Sequence, residues 1–135
     1  MYSFTYTDIW DEPVSISLLR SAYAYGGGLA LILVNTDRAR GDFGEEFAVL
    51  SVNLPGDPLA EYWTEQDERD FILDTNNVPA DVIARLIADG VIEYGEGCVM
   101  SGFFSYPFAR LTEKGVREVE DYDGFFDTLR HPAAA

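Results

Sequence analysis

Carboxylate side chains are the groups in this chain with the most evident capacity for chemistry. The 135 residues contain 24 Asp and Glu against nine Lys and Arg, which gives a net charge of −15. The segment 57–74 alone holds seven acids and one arginine. Clustered carboxylates can perform acid–base catalysis, hold divalent cations or compete with phosphates for basic protein surfaces. Because acids occupy so many positions, their spacing singles out no catalytic pair.

Two acidic clusters, with the aromatic residues among them, form the predicted partner-binding surface. Its members are Asp42, Glu45, Glu46, Asp57, Glu61, Tyr62, Trp63, Glu65, Asp67, Glu68, Asp70 and Asp74. A third cluster, within 118–127, is offset by Arg117 and Arg130. The structural alternative is a solvated face that serves only solubility, the usual role of such a surface. Against it, so steep a charge imbalance costs self-repulsion in the folded state.

The other reactive residue types lack the partners that their chemistry needs. Cys98 is the only cysteine and is predicted to be a small buried apolar side chain, because its setting is not electropositive. His131 is the only histidine and lies in the segment 131–135, which is predicted to be frayed, so no histidine-based zinc site is expected. Aligning Gly124 with the glycine of a calcium loop puts valine and arginine at ligand positions. No catalytic residue and no cofactor is predicted.

Composition indicates a single cytoplasmic domain over residues 1–130. Hydrophobic residues make up 47% of the chain, and nine Phe, eight Tyr and two Trp suffice for a packed core. A lone cysteine excludes an internal disulfide and suits a reducing compartment. The longest apolar run, 29–34, is too short to span a bilayer. The negative charge argues against binding to nucleic acid or to anionic membranes.

In the first half of the chain, apolar and polar residues alternate with a period of two, which predicts an antiparallel meander of strands. Strands are expected over 3–7, 14–18, 29–34 and 47–54, with a hairpin at the glycines 26–28. The third of these strands is apolar on both faces and is therefore expected to be central.

The second half predicts one firm helix followed by more strand. Val78-Pro79-Ala80-Asp81 opens the helix, with the proline in its first turn, and Gly90 ends it. Between them the apolar residues recur at helical spacing: Val82, Ile83, Leu86 and Ile87. Asn76 and Asn77 are expected to form a turn and to cap this helix. A short strand is expected at 71–73, just before them.

Strand, turn and strand are expected over 91–100, with the turn at 95–97. The extended aromatic segment 101–111 follows, and Pro107 places it at an edge or a bulge. Within 112–130, Phe125, Phe126 and Leu129 form a small apolar face by which a terminal helix can dock on the rest of the domain. The fold class is α+β, with an antiparallel sheet of about five or six strands and one main helix packed on it.

Three segments resemble an uncharacterised domain-of-unknown-function family (DUF4313-like) of bacterial conjugative elements and prophages. They are Leu50-Ser51-Val52-Asn53-Leu54, Leu73-Asp74-Thr75-Asn76-Asn77-Val78-Pro79, and Ser101-Gly102-Phe103 followed by Tyr106-Pro107. The resemblance covers roughly 23–111, and the chain after Thr112 departs from it. It implies a mobile-element setting and supplies no catalytic residue.

Charge and resemblance together favour an inhibitor of a host defence nuclease. Such a protein, an anti-CRISPR or anti-restriction factor, would act as a DNA mimic that occupies the groove of a basic DNA-binding protein, such as a CRISPR effector or a restriction enzyme. The interspersed Tyr62 and Trp63 would add contact area. The alternative is a non-catalytic accessory module of a mobile element whose acidity serves only solubility. An enzyme would instead require a deep pocket with convergent polar groups.

Overall fold

Nine strands and four helices make up the part of the chain that the structure describes. The structure is a computed structural model, and it describes residues 1–7, 9–26 and 28–130. The strands are β1 (Ser3–Thr7), β2 (Pro13–Ala22), β3 (Leu29–Asn35), β4 (Glu46–Val49), β5 (Ser51–Val52), β6 (Asp70–Leu73), β7 (Ile92–Ser101), β8 (Phe104–Leu111) and β9 (Glu120–Asp121). The helices are α1 (Pro58–Thr64), α2 (Ala80–Ala88), α3 (Glu113–Glu118) and α4 (Tyr122–Arg130). The α+β class is confirmed, but the strands divide between two sheets instead of forming one.

The first sheet is the predicted antiparallel meander, in the order β1-β2-β3-β4. Val14, Ile16 and Leu18 alternate along β2 and are buried, as the period-two pattern predicts. β3 is central between β2 and β4, which confirms the interpretation of its apolar run. The short strand β9 pairs in parallel with β2 at Leu19 and Arg20. This is just past Ser17, where the pairing of β2 with β1 ends.

The chain crosses from one sheet to the other at Leu50. The sequence predicts one strand over 47–54, and this is wrong because the strand breaks into β4 and β5. The Leu50 N–H donates to the Leu31 carbonyl at 2.8 Å, and the Leu50 carbonyl accepts from the Asp74 N–H at 2.8 Å. One buried residue therefore bonds to both sheets, and the run pairs with β3 before Leu50 and with β6 after it.

The second sheet has the order β5-β6-β8-β7, and its outer strand carries a bulge. Tyr94 pairs with Ala109 while Cys98 pairs with Pro107, so β7 has extra residues between them. The turn predicted at 95–97 is wrong, since β7 continues through it and turns only after Ser101. Of the two alternatives for Pro107, the bulge is correct: Pro107 has no N–H to donate, and it lies where the regular ladder is already broken.

The main core lies between the two sheets and is closed by α2. Val82, Ile83 and Leu86 are buried on one side of that helix, and Gly90 follows its end at φ +69°, so the predicted helix is confirmed. A smaller core lies on the other face of the second sheet beneath α1 and includes Trp63 and Phe108.

The C-terminal segment docks on the first sheet as a helix. Phe125, Phe126 and Leu129 are half-buried in α4, and Phe126 packs against Gly44 in the loop between β3 and β4. The predicted terminal helix is therefore confirmed. The tail 131–135 lies outside the described residues.

Candidate partner-binding surface

Helix α1 starts at a side-chain cap supplied by one of the predicted surface acids. Asp57 Oδ1 accepts from the backbone N–H groups of Leu59 at 3.0 Å and Ala60 at 3.1 Å. Pro58 occupies the first helical position, where a missing N–H costs nothing. Asp57 is half-buried, so its carboxylate serves mainly to hold the helix start.

Trp63 fixes α1 to the second sheet and does not lie on the surface. Its side chain is only 6% exposed and stacks on Phe108 with ring centroids 5.0 Å apart and an interplanar angle of 4°. Its indole N–H points at the Phe71 and Ala109 carbonyl oxygens, each 3.1 Å away. The prediction that Trp63 supplies contact area is corrected: this side chain anchors the helix that carries the surface.

Four exposed side chains on and just after α1 form what we call the α1 surface: Glu61, Tyr62, Glu65 and Glu68. The three acids are spaced by four and three residues, so the helical part of the run brings Glu61 and Glu65 to neighbouring positions. Tyr62 is 66% exposed beside them. In the described part of the chain, none of the three carboxylates makes an ion pair with Lys or Arg.

Asp67 is half-buried and is neutralised by its neighbour Arg69. The Arg69 Nη2 lies 2.9 Å from Asp67 Oδ2, and its Nε donates to Oδ1 at 3.1 Å. These charge-assisted bonds lower the pKa of Asp67 to about 2. Asp67 therefore contributes little net charge to the α1 surface.

Asp70 is buried at the start of β6 and is removed from the predicted surface. Its side chain is 0% exposed, and the Arg110 Nε lies 3.1 Å from its Oδ1. The two groups are at ion-pair distance, but their orientation is poor for a hydrogen bond, and both Asp70 oxygens lack a hydrogen-bond partner among the described residues. Burial raises the pKa of Asp70, and the Arg110 charge opposes that shift only in part.

Asp74 is also buried, and it organises the junction between β6 and α2. Its Oδ1 accepts from the N–H groups of Asn76 at 3.1 Å and Asn77 at 3.0 Å, and its Oδ2 accepts from the Asn77 amide at 2.9 Å. The predicted turn is confirmed, whereas the predicted asparagine cap is wrong because α2 begins after Pro79 without a side-chain cap. Asp74 is thus a structural residue and leaves the predicted surface.

The cluster Asp42, Glu45 and Glu46 belongs to a different part of the molecule. Asp42 pairs with Arg40 at 3.1 Å, and this pairing lowers the pKa of Asp42. Glu45 and Glu46 are exposed. Since Gly44 in this loop lies next to Phe126 of α4, the cluster lies beside the C-terminal helix, whereas Asp57, Glu61 and Glu65 lie on or at the ends of α1. The twelve predicted residues therefore do not form one continuous surface.

A cleft beside the α1 surface was not anticipated from the sequence. Its volume is about 300 Å³, and it opens between the β2–β3 hairpin and the start of α1. Tyr23, Tyr25, Glu61 and Glu65 are among the residues that line it. The two tyrosines before the hairpin glycines are the only sign of this cleft in the sequence. The cleft itself forms because the hairpin meets α1, whose residues are more than 30 positions away along the chain.

The β7–β8 hairpin carries a second unanticipated surface. Phe103 at its tip is 100% exposed, and Met100 and Phe104 beside it are also exposed. β6 pairs with β8 only from Phe108 to Arg110, so the hairpin tip extends beyond the rest of the sheet.

The lone cysteine and the possible metal ligands were the remaining candidates for chemistry in the sequence. Cys98 is exposed, so the prediction that it is a buried apolar side chain is wrong. Over residues 1–7, 9–26 and 28–130, no group of three or more His, Cys, Asp or Glu is placed to hold a metal ion. Within the same ranges, none of the helices has the length and apolar character needed to cross a membrane.

Titration of Asp70 is expected to make the stability of the protein depend on pH. Because the native state holds the proton more tightly than the unfolded chain, the contribution of Asp70 is fully present below its ordinary pKa of 3.8 and is lost as the pH rises through the raised native pKa. The free energy of unfolding of Asp70→Asn, relative to the parent, should therefore increase from about pH 3 to about pH 7.

Urea unfolding at a series of pH values measures this difference. The substitution also leaves Arg110 without a carboxylate partner. Because arginine stays protonated over this pH range, that loss changes the free energy of unfolding of Asp70→Asn by the same amount at every pH. Asp67→Asn serves as the control of opposite sign, since the pKa of Asp67 is lowered. A pH-independent difference for Asp70→Asn would contradict the assignment.

The chain matches no protein-family model, no curated protein and no solved structure. The resemblance to a mobile-element family therefore stays a prediction.

Proposed function

We propose that the protein is a non-catalytic, acidic inhibitor that binds the DNA-binding groove of a host defence nuclease as a DNA mimic. The observation that carries the proposal is the α1 surface, where Glu61, Glu65, Glu68 and Tyr62 are exposed and none of the three carboxylates makes an ion pair with Lys or Arg of the described chain. Such a surface offers negative charge and aromatic contact area to a groove lined by Arg and Lys.

Rigidity of α1 supports this proposal. The helix start is held by Asp57 and its inner face by the stacked Trp63, so the backbone that carries Glu61 and Tyr62 keeps its position before a partner arrives. Pre-organisation reduces the conformational entropy that binding costs. A mimic of DNA benefits from this property because duplex phosphates also stand at fixed spacing.

The distribution of the basic residues also supports it. Six of the nine Lys and Arg form ion pairs with nearby acids: Arg40, Arg69, Arg85, Arg110, Lys114 and Arg130. The charge of these six residues is therefore largely taken up by nearby acids. Arg20 and Arg69 line a cleft together with Glu68, whereas the cleft that Glu61 and Glu65 line contains no basic residue. The excess of carboxylates on that surface remains directed toward solvent, where it can steer a basic partner.

A second candidate function is an accessory interaction module of a mobile element, with acidity that serves solubility. The observation in its favour is that Glu45 and Glu46 are exposed beside α4, away from the α1 surface. Charge spread over several elements is what a solubility role requires.

Reversing the charge of the α1 surface is the experiment that tests the proposal. Glu61→Lys, Glu65→Lys and Glu68→Lys in one variant should weaken binding to a susceptible nuclease by about 100-fold, since three exposed charge contacts change from attractive to repulsive at roughly 1 kcal/mol each. The measurement is displacement of DNA from a panel of purified CRISPR effectors and restriction enzymes at low salt. Parent binding should fall as salt is added.

A matched variant controls for net charge. Lysine at the exposed positions Glu113, Glu120 and Asp123 changes the charge by the same amount on the C-terminal segment. This variant should retain most of the inhibition. Equal losses in the two variants would favour a general charge effect, and absence of displacement by the parent across the panel would count against DNA mimicry.

A further inference from the structure

We propose that the cleft between the β2–β3 hairpin and α1 is a receptor for one arginine side chain of the partner protein. The inference rests on the proposed function, and it adds the chemical identity of the group that the α1 surface receives. The cleft has a volume of about 300 Å³, at the small end of the range for ligand sites, which suits a single side chain better than a larger ligand.

The walls of the cleft combine an apolar floor with a charged and aromatic rim. The buried lining residues Ala60, Phe71 and Ile72 form the floor, and the half-buried Leu29, Val52 and Leu54 add apolar wall. Tyr25 and Glu65 are exposed residues of the rim, on opposite sides of the opening. An apolar floor accommodates the methylene chain of a long cationic side chain, while its charged end reaches the rim.

Glu61 and Glu65 place two carboxylates one helical turn apart at this rim. Glu61 Oε1 already accepts from the Gly56 N–H at 3.0 Å, which fixes the position of the carboxylate and leaves Oε2 available. A guanidinium group can bond to both oxygens of a carboxylate at once or bridge two neighbouring carboxylates, because its donors form a planar fork.

Two tyrosine rings supply a further feature that favours arginine over lysine. The Tyr23 hydroxyl is bonded to the Ser51 hydroxyl at 2.7 Å, so this ring is held in place at the cleft wall. Tyr25 is 74% exposed, and its carbonyl accepts from the Asn53 amide at 3.0 Å, which ties the hairpin to the chain entering α1. A planar guanidinium stacks on aromatic faces, whereas an ammonium is compact and strongly hydrated.

Charge complementarity selects a basic protein as the source of this side chain. A second copy of the chain carries a net charge of −15 and would be repelled from the rim. Anionic ligands would be repelled by the carboxylates of Glu61 and Glu65. The cleft therefore fits an exposed arginine of the type that lines DNA-binding grooves.

Three short peptides that differ at one position test the proposal. Each has a central arginine, lysine or citrulline flanked by glycines, with blocked ends. In two-dimensional NMR titrations, the arginine peptide should shift the signals of the cleft residues Tyr23, Tyr25 and Gly56, and should bind at least about fivefold more tightly than the lysine peptide. The neutral citrulline peptide should not bind. Equal affinity for arginine and lysine, or shifts spread over all exposed acids, would overturn the proposal.

Single-residue variants locate the site within the α1 surface. Glu65→Gln and Tyr25→Leu should each reduce arginine-peptide affinity severalfold, whereas Glu68→Gln removes the same charge from a residue outside the cleft lining and should leave it unchanged. Retained dispersion of the NMR spectrum confirms that each variant is folded. Equal losses for Glu65→Gln and Glu68→Gln would overturn the assignment of the cleft.

The two proposals fail in different ways. If a nuclease binds the parent and Glu65→Gln equally well while the triple lysine variant is inactive, the arginine receptor is overturned and the inhibitor function stands. If the arginine peptide occupies the cleft but no nuclease is displaced from DNA, the receptor is supported and the proposed function is overturned.

Discussion

Replacing Trp63 with alanine is expected to lower the free energy of unfolding by about 3–5 kcal/mol and the melting temperature by about 10 °C or more. The change removes a ring stacked at 5.0 Å on Phe108 and leaves a cavity beneath α1. It also removes the donor that serves the Phe71 and Ala109 carbonyl oxygens. A large cavity and the loss of one bifurcated hydrogen bond add in the same direction.

The chain offers a matched control in its only other tryptophan. Trp10 is 75% exposed, so Trp10→Ala should change the free energy of unfolding by no more than about 1 kcal/mol. Thermal and urea unfolding followed by far-ultraviolet circular dichroism measures both variants without relying on tryptophan emission. Comparable losses for the two variants would contradict the role of Trp63 as the anchor of α1.

The same substitution also tests how the surface depends on its support. Because Trp63 is buried, it touches no partner, yet its loss should loosen the helix that carries Glu61 and Glu65. Partner affinity should then fall at temperatures where the variant is still folded, since a looser surface loses more conformational entropy on binding.

Elements with a strong local pattern were predictable from the sequence. β2 and β3 follow simple alternation or a continuous apolar run, and α2 combines helical spacing with Pro79 before it and Gly90 after it. In each case the information lies within a window of about ten residues.

Features set by distant contacts were not predictable in this way. The break at Leu50 occurs inside a run that contains no Gly or Pro to mark it. It arises because the Leu50 N–H bonds to Leu31 of one sheet, whereas the Leu50 carbonyl accepts from Asp74 at the end of β6 in the other. The bulge in β7 contains two glycines that equally well indicate a turn. There Gly97 adopts φ +105°, and pairing resumes opposite Pro107.

The candidate surface shows the same division. Exposure of Glu61, Glu65 and Glu68 follows from ordinary polarity, so these members of the surface were predicted. Burial of Asp70 depends on Arg110, which is 40 positions away and becomes its neighbour only when β6 pairs with β8. A run of acids in a sequence therefore overstates the number of carboxylates that a partner can reach.

Glycine-to-alanine substitutions at Gly115 and Gly124 are expected to change stability in opposite directions. Both glycines are the third residue of a helix, in α3 and α4, and neither has a positive φ. Alanine is favoured over glycine in a helix by up to about 1 kcal/mol, so propensity alone predicts stabilisation at both sites. Packing reverses that expectation at Gly115.

A Cβ at Gly115 would lie 2.2 Å from the Val91 carbonyl oxygen and 3.2 Å from a methyl carbon of Leu111. The Val91 carbonyl cannot move away freely, because it accepts from the Thr112 N–H at 3.0 Å and Val91 is fully buried. Gly115→Ala is therefore expected to destabilise the protein by about 3 kcal/mol, at the upper end of the usual cost of overpacking. At Gly124 the nearest atom, Asp121 Oδ2, would be 3.4 Å from the new carbon, an ordinary contact.

Urea unfolding of the two variants beside the parent protein measures both changes under one set of conditions. Gly124→Ala should raise the transition midpoint slightly, and its backbone N–H should keep its 2.8 Å bond to Asp121. Gly115→Ala should lower the midpoint clearly, because α3 can escape the Val91 carbonyl only by breaking its contact with β8. A stabilised Gly115→Ala variant would mean that α3 does not pack against Val91, and the position of the whole C-terminal segment would then have to be revised.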